Sequence, residues 1–470
     1  MRKSMKKLIA LTLACLMLAT LFVGCGKKDD GGSSGGDTIK LGWMGSLTGD
    51  QAAYGTCESQ TLKMMVEDLN ANGGLLGKQV ELICYDTKGD AQEAVNVAKR
   101  LCAQDQVCAI IGPNASGQCI AIQSVLDQYK ISDMSTVATN EKVTMQDGQL
   151  KEYNFRVCFL DPQQGKIAGS FVYDNLGFDK AAILYDVNDD YALGLKDNFV
   201  KVFESKGGTI VAEEGYTAGD TDFTAQLTKI KEAQPQIIFT PIFYQDFIMI
   251  HKQARTLGIE VPMLGGDGCA SEVLFDAADA VDGSYVINHV SLVDPAGDAF
   301  RKEYAEKYNG AKMELNGYMA HDAFLLWCAA VEKAGSDDPQ AIADAYSQVE
   351  VEGMAGKIKI SAEDHNPVGK SGCVERIDEA RRAAEAQAAV CDAIRAELMD
   401  VFSQLDDEVD FMILFRRYIL LENWDKIAVH VRLAKRWIFT RHRAAIEKLE
   451  IKDSTEQHQT ASIQHPESEV

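Results

Sequence analysis

The chain contains no HExxH and no CxxC or CxxH spacing, which removes the usual signatures of zinc proteases and of zinc or dithiol centres, and GxSxG spacing falls only within the Gly- and Ser-rich run 31–36. It lacks a second long apolar run after its first two dozen residues, so the body reads as soluble. It also lacks basic excess: 47 Lys and Arg face 70 Asp and Glu. The formal net charge of -23 excludes a generally nucleic-acid-binding surface and by itself names no ligand. The body's few histidines (His251, His289, His321) stand isolated, and His321 followed by Asp322 reads as helix surface or lobe packing. No catalytic residue, no metal and no cofactor are expected.

Cysteine is not scarce, at twelve, yet it is scattered singly among apolar residues, as at Cys84, Cys119 and Cys269. That pattern favours buried free thiols, with Cys57 and Cys84, or Cys102 and Cys108, as the pairs that remain open. The front end is of another kind. Met1 to Lys7 carry four basic residues, Leu8 to Val23 are almost wholly apolar, and Gly24 precedes Cys25. A positive start, an apolar run too short for a comfortable bilayer span and a small residue before the cut make an export signal over 1–24. Its end resembles a bacterial lipobox, which implies lipidation of Cys25. The Gly, Ser and charge-rich stretch 25–37 then reads as a tether. The expected location is the outer face of a cell membrane, held by a lipid anchor.

Along the body one pattern repeats. Strand-like Thr38 to Met44, Gln79 to Asp86 and Val107 to Ile111 alternate with helical Ser59 to Asn70, Ala91 to Ala103 and Ser116 to Tyr129. The alternation resumes from Lys180 to Gly265. Short apolar strands separated by amphipathic helices call for parallel sheets covered on both faces, hence an α/β fold of at least two lobes. In such sheets ligands bind beyond the carboxyl ends of the strands.

The loops at those ends are rich in ligand-binding chemistry. In the first half they read Gly45 to Gly55 (GSLTGDQAAYG), Gly112 to Gly117 (GPNASG) and Met134 to Thr139 (MSTVAT), offering hydroxyls, N–H groups and helix N-termini to a carboxylate. In the second half they carry Asp186 to Tyr191, Phe243 and Tyr244, and Gly265 to Gly268 around Asp267, which supply aromatic walls and one acid. A zwitterion with an apolar side chain satisfies both sets. Each loop taken singly is also explained by capping and turn chemistry.

These blocks, with NANGGLLGKQVELICYDTKGDAQEAVNVAKRL, KQARTLGI before MLGGDG, and GYMAHDAF, stand in an order that resembles the type I periplasmic-binding-protein family serving branched-chain amino acid ABC transporters, over about 38–368. The resemblance implies two Rossmann-like lobes with a cleft, joined by three crossovers and closing on the ligand. It places lobe 1 at about 38–156 and 286–335, and lobe 2 at about 157–285 and 336–368. By position it implies that Ser116 and the Ala138–Thr139 turn take the carboxylate and share the amine. Asp267 would pair with the ammonium, while Tyr54, Tyr191 and Phe243 or Tyr244 line the side-chain pocket. Asp267 stands where leucine/isoleucine/valine binders carry a glutamate. The implied partners are an amino acid or similar zwitterion and the permease subunits of an importer.

Asp364 to Ser371 (DHNPVGKS) imitates a phosphate-binding loop but has aspartate in place of the leading glycine, and reads as a chance match. Beyond it the family pattern stops near Gly369 to Gly372. Residues 374–451 read as an all-α segment: a long helix over Val374 to Asp400, then helices over Val409 to Leu421, Trp424 to Val431 and Lys435 to Leu449. The run from Ile413 to Glu450 resembles the helix-turn-helix of sigma-factor C-terminal regions and of small phage transcriptional activators, with Lys435, Arg436, Arg441 and Arg443 offered to DNA. A basic helical bundle packing on an acidic surface is the alternative. Residues 452–470 read as disordered. Export and DNA binding belong to different compartments, so nucleic acid is a partner only if the tail is made in the cytoplasm. The simplest sequence reading is a chimera joined near Gly369 to Cys373. A sensor passing lobe closure to a partner is a further alternative to the transport receptor.

Overall fold

The computed structural model describes residues 38–291, 297–370 and 372–380, with scattered positions between 382 and 445. The expectations for 1–37, Cys25 included, and for most of 381–470 lie outside the described residues.

The first lobe is built on β1 (Ile39–Gly45), β2 (Val80–Asp86), β3 (Ala109–Ile111), β4 (Asp133–Ser135) and β5 (Asn154–Arg156), all parallel, in the order β2-β1-β3-β4-β5. The crossovers between them include α1 (Ala52–Ala71), α2 (Ala91–Arg100) and α3 (Ser116–Tyr129). Strand β1 is buried along nearly its whole length, as its apolar sequence requires when helices cover both faces of a parallel sheet. Asp90 starts α2 by accepting from the Glu93 N–H at 2.7 Å. The reversal of strand order between β1 and β3 makes a crevice at their carboxyl ends.

The second lobe repeats the plan with β6 (Lys180–Asp186), β7 (Thr209–Tyr216), β8 (Ile237–Thr240), β9 (Met263–Gly265) and β10 (Tyr285–Asn288). Helices α4 (Asp161–Ser170), α5 (Asp190–Ser205), α6 (Thr224–Ala233) and α7 (Tyr244–Thr256) flank it. Its core stacks Phe199 on Phe239, ring centroids 4.1 Å apart, and on Phe203 at 5.3 Å.

The chain after β10 returns to the first lobe. Helix α8 (Asp298–Lys307) sends Tyr304 Oη to Gln60 of α1 at 2.5 Å. Helix α9 (Leu315–Ala334) lies along α1 and carries the fully buried Trp327. Helix α10 (Pro339–Ala345) and the hairpin β11 (Glu350–Gly353) and β12 (Gly356–Lys359) pack on α9. Asp322, wholly buried, accepts from the Met354 and Ala355 N–H groups at 2.7 and 2.9 Å and so pins the hairpin turn. That is the packing role expected of the His321–Asp322 pair. Last comes β13 (Cys373–Arg376), antiparallel to β10, completing the order β13-β10-β9-β8-β6-β7.

Three sequence expectations are corrected here. Residues 286–288 belong to the second sheet. Residues 336–368 belong with the first lobe, where Tyr153 Oη meets Gln340 at 2.7 Å and His365 stacks on Phe155 at 4.0 Å. Third, the lobe does not stop at 368, because Val374 to Arg376 are a strand with Val374 opposite Ile287 and not the start of a helix. The reason is alternation that a four-residue strand cannot display. The phosphate-loop mimic is a packed turn: Asn366 accepts from Thr144 Oγ1 at 3.1 Å, and Lys370 donates to the Ala355 carbonyl.

Cys57, Cys84, Cys102 and Cys108 all carry free thiols, so neither disulfide left open by the sequence is formed. In the tail, α11 (Glu408–Leu414) is capped by Asp407, and Ile413, Ile427 and Ile438 form one buried cluster while Phe402, Leu414 and Ala445 form another. Arg441 is not offered outward. Its Nε donates to Asp410 at 2.7 Å and its Nη2 pairs with Asp407. Lys435, Arg436 and Arg443 lie outside the described side chains.

Candidate ligand-binding site

The carboxyl ends of the two sheets face each other across a narrow pocket. From the first lobe come Gln51 and Tyr54 near the start of α1, Asn114 to Ser116 at the start of α3, Val137 after β4, and Leu315 and Asn316 at the start of α9. From the second come Tyr191 after β6, Phe243 after β8, and Asp267 and Gly268 after β9. A second, wider pocket that shares Gln51 and Phe243 with it is bordered by Asp50, Asp186, Asp246 and Tyr216.

Ser116 is the first residue of α3, where first-turn N–H groups have no intrahelical acceptor and the helix end is electropositive. Its Oγ accepts from the Asn140 N–H at 3.2 Å. Behind it, Glu58 of α1 is fully buried and accepts from Thr136 Oγ1 at 2.7 Å, Asn316 Nδ2 at 2.8 Å and Trp43 Nε1 at 3.2 Å. Burial outweighs these three donors and pushes its carboxyl up to about 7. Glu58 thereby fixes the Asn316 amide: the NH₂ is turned to Glu58.

On the opposite wall, Tyr191 and Phe243 lie ring to ring at 5.5 Å. Gly268 is clamped from both sides, its carbonyl accepting from Tyr54 Oη at 2.9 Å and its N–H donating to Tyr191 Oη at 3.0 Å. Burial pushes both phenols well above the usual tyrosine value, so they act as neutral hydroxyls. Gly266 leaves room for the phenol: a Cβ there would stand 2.3 Å from Tyr191 Oη, which would have to shift. Asp267 Oδ1 accepts from Gln164 Nε2 at 2.9 Å, the Asp267 N–H donates to Gln164 Oε1 at 2.7 Å, and Oδ2 lies 3.0 Å from His289 Nε2. The lobes are in contact. Besides Tyr54 to Gly268, the Glu272 N–H reaches Glu314 at 3.1 Å and Asn140 Nδ2 reaches the Asp190 carbonyl at 2.6 Å.

Of the residues expected from the sequence, Tyr54, Ser116, Tyr191, Phe243 and Asp267 meet on the pocket wall. Ala138, Thr139 and Tyr244 do not. The Ala138 N–H is spent on Ser135 Oγ at 3.1 Å and its carbonyl is drawn back by the buried Arg156 guanidinium at 2.7 Å, so Val137 forms that wall. Thr139 accepts the Asp161 N–H through its carbonyl at 3.0 Å. Tyr244 turns away to pack edge-on against Tyr54, centroids 5.0 Å apart. His289, which looked isolated, is bonded to Asp267. Asn114 and Asn316 were legible only as part of the GPNASG block and as the neighbour of GYMAHDAF. Gln164 and Glu58 had no local signal. Among the described residues, no group of three or more His, Cys, Asp or Glu could hold a metal ion.

Residues 38–380 match the family described as periplasmic binding protein. The leucine-, isoleucine-, valine-, threonine-, and alanine-binding protein of Pseudomonas aeruginosa is 28% identical over 315 residues, covering 67% of this chain and 83% of that protein. Two solved structures align with a TM-score of 0.66 each. The leucine-binding protein LivK of Thermotoga maritima is 30% identical, covering 72% of this chain and 95% of its own. The branched-chain amino acid transporter substrate-binding protein LivJ of Streptococcus pneumoniae, in complex with isoleucine, is 31% identical, covering 73% and 97%. With a largely parallel sheet in each lobe, a pocket between the sheet ends and this match over most of its length, the chain belongs to the periplasmic binding protein family.

Proposed function

We propose that this protein is the solute receptor of an ABC importer, held on the outer face of the membrane through a lipid on Cys25, and that it binds an amino acid with an apolar side chain. It is a binding protein and not an enzyme. The observation that carries the ligand class is the opposition of Asp267, a buried acid on the second lobe, to Ser116 at the α3 N-terminus on the first. An ammonium needs the former, and a carboxylate gains charge-assisted bonds from the latter without a buried counter-ion. Tyr191 and Phe243 give the side chain an aromatic wall at low entropic cost. The names of the leucine, isoleucine and valine binders above support the same class.

Closure follows from the geometry. A ligand that touches Ser116 on one lobe and Asp267 on the other makes its full set of contacts only when the lobes meet, and so shifts the population toward the closed form. That form is what a permease would recognise. Arg441 is already paired within the tail, so no DNA-binding role is advanced.

Calorimetry of the protein against the apolar amino acids tests the ligand class: one of leucine, isoleucine or valine should bind with micromolar or tighter affinity. A folded protein that binds none of them contradicts the reading. Incorporation of labelled palmitate, abolished by Cys25→Ser, tests the anchor.

A further inference from the structure

His289 has no place in the set of residues assigned to the ligand, yet it is the best-placed side chain to govern one of them. It follows β10, at the start of the chain's second passage between lobes. Its Nε2 stands 3.0 Å from Asp267 Oδ2, with the two side chains only 2% and 4% exposed. A buried carboxylate that kept one free oxygen would rotate about its last torsion. Gln164 on Oδ1 and His289 on Oδ2 hold it from behind, so that the remaining lone pairs face the pocket.

The histidine is itself held. Its ring lies on Phe159 with centroids 3.9 Å apart, and its backbone N–H donates to Asn288 Oδ1 at 2.9 Å. Asn288 Nδ2 in turn reaches Glu375 of β13 at 3.1 Å. Phe159 lies in the first passage between lobes and Gly372 in the third; a Cβ on Gly372 would come within 2.7 Å of both the Asn288 carbonyl and the Phe159 ring. The three interlobe passages therefore converge where His289 stands, one side chain away from the acid in the pocket.

We propose that His289 is a positioning residue for amine recognition: it orients Asp267 from the hinge, and thereby sets the preference for an amino acid over the same carboxylic acid without its amino group. This rests on Asp267 being the ammonium's partner. The imidazole acts as an Nε2–H donor, a role that a glutamine at the same place can fill and a leucine cannot. Asparagine is too short to reach.

The test measures leucine and 4-methylpentanoate, its desamino counterpart, by calorimetry and by thermal shift at millimolar concentration. It uses the wild type, His289→Leu, His289→Asn and His289→Gln. His289→Leu and His289→Asn should weaken leucine about tenfold or more, the loss typical of a hydrogen bond to a charged group, while 4-methylpentanoate changes less than about threefold. His289→Gln should return leucine to within about threefold of wild type. Equal weakening of both ligands by His289→Leu, no weakening, or failure of His289→Gln to restore leucine while its unliganded melt stays normal would overturn the positioning role. Should His289→Leu fail to fold, the Gln and Asn pair carries the same contrast. Absence of leucine binding in the folded wild type would instead overturn the amino-acid reading and this inference with it.

Discussion

The Tyr54 hydroxyl of one lobe donates to the Gly268 carbonyl of the other across 2.9 Å, and Gly268 is the residue next to Asp267. The interlobe latch is thus adjacent in sequence to the acid of the pocket. Tyr54→Phe keeps the ring against Tyr244 and removes only this bond. At about 1 kcal/mol for one such bond, the ligand should bind roughly fivefold more weakly and the ligand-free protein should be more open in small-angle scattering. Unchanged affinity and unchanged scattering would deny the latch.

Gly266 makes room for Tyr191, so Gly266→Ala should push the phenol off the Gly268 N–H. Overpacking of this kind costs roughly 1–3 kcal/mol, and both melting temperature and ligand affinity should fall. Gly117→Ala is the control for the melt, since a Cβ there meets nothing within 4 Å.

Glu58 and Glu314 are both pushed up to about 7 by burial, from 4.5. Between those values the folded chain holds protons that the unfolded chain has released, so the stability these groups contribute falls as pH rises from 4.5 to 7. Each shift corresponds to something on the order of 3 kcal/mol. Glu58→Gln should therefore shrink the difference in urea midpoint between pH 5 and pH 7.5. A variant with the full wild-type difference would show that Glu58 ionises normally.

Strand β13 predicts a boundary. A chain ended after 380 keeps the pairing of Tyr285 to Asn288 with Cys373 to Arg376, whereas one ended after 368 exposes β10 and loses the Glu375 contacts to Asn288 and Ser291. The longer chain should bind ligand and melt cooperatively. The shorter one should melt at distinctly lower temperature. Equal melting of the two would mean that β13 contributes nothing.

What was legible in the sequence was local. The βα alternation from Ile39 to Gly265 shows in period and composition, and the strand-end loops name Tyr54, Ser116, Tyr191, Phe243 and Asp267 because parallel sheets put those ends on one edge. What was not legible depends on contacts between distant segments. Ala138 looked available until Arg156, eighteen residues on, took its carbonyl. Gln164 lies 103 residues from Asp267, and no periodicity links them. Strand β13 is four residues in a stretch whose Ala, Glu and Arg content argues for helix, and only its partner β10 makes it a strand.

Calorimetry of leucine, isoleucine and valine against the wild type and Asp267→Asn tests the central claim most directly. Asparagine keeps the size of the side chain and removes the charge. The account predicts that one of these amino acids binds the wild type with micromolar or tighter affinity, and that Asp267→Asn weakens it on the order of a hundredfold, as expected when a desolvated ammonium loses its acid. Equal binding by the two proteins would contradict the assignment of Asp267, and with it the account of how this cleft recognises an amino acid.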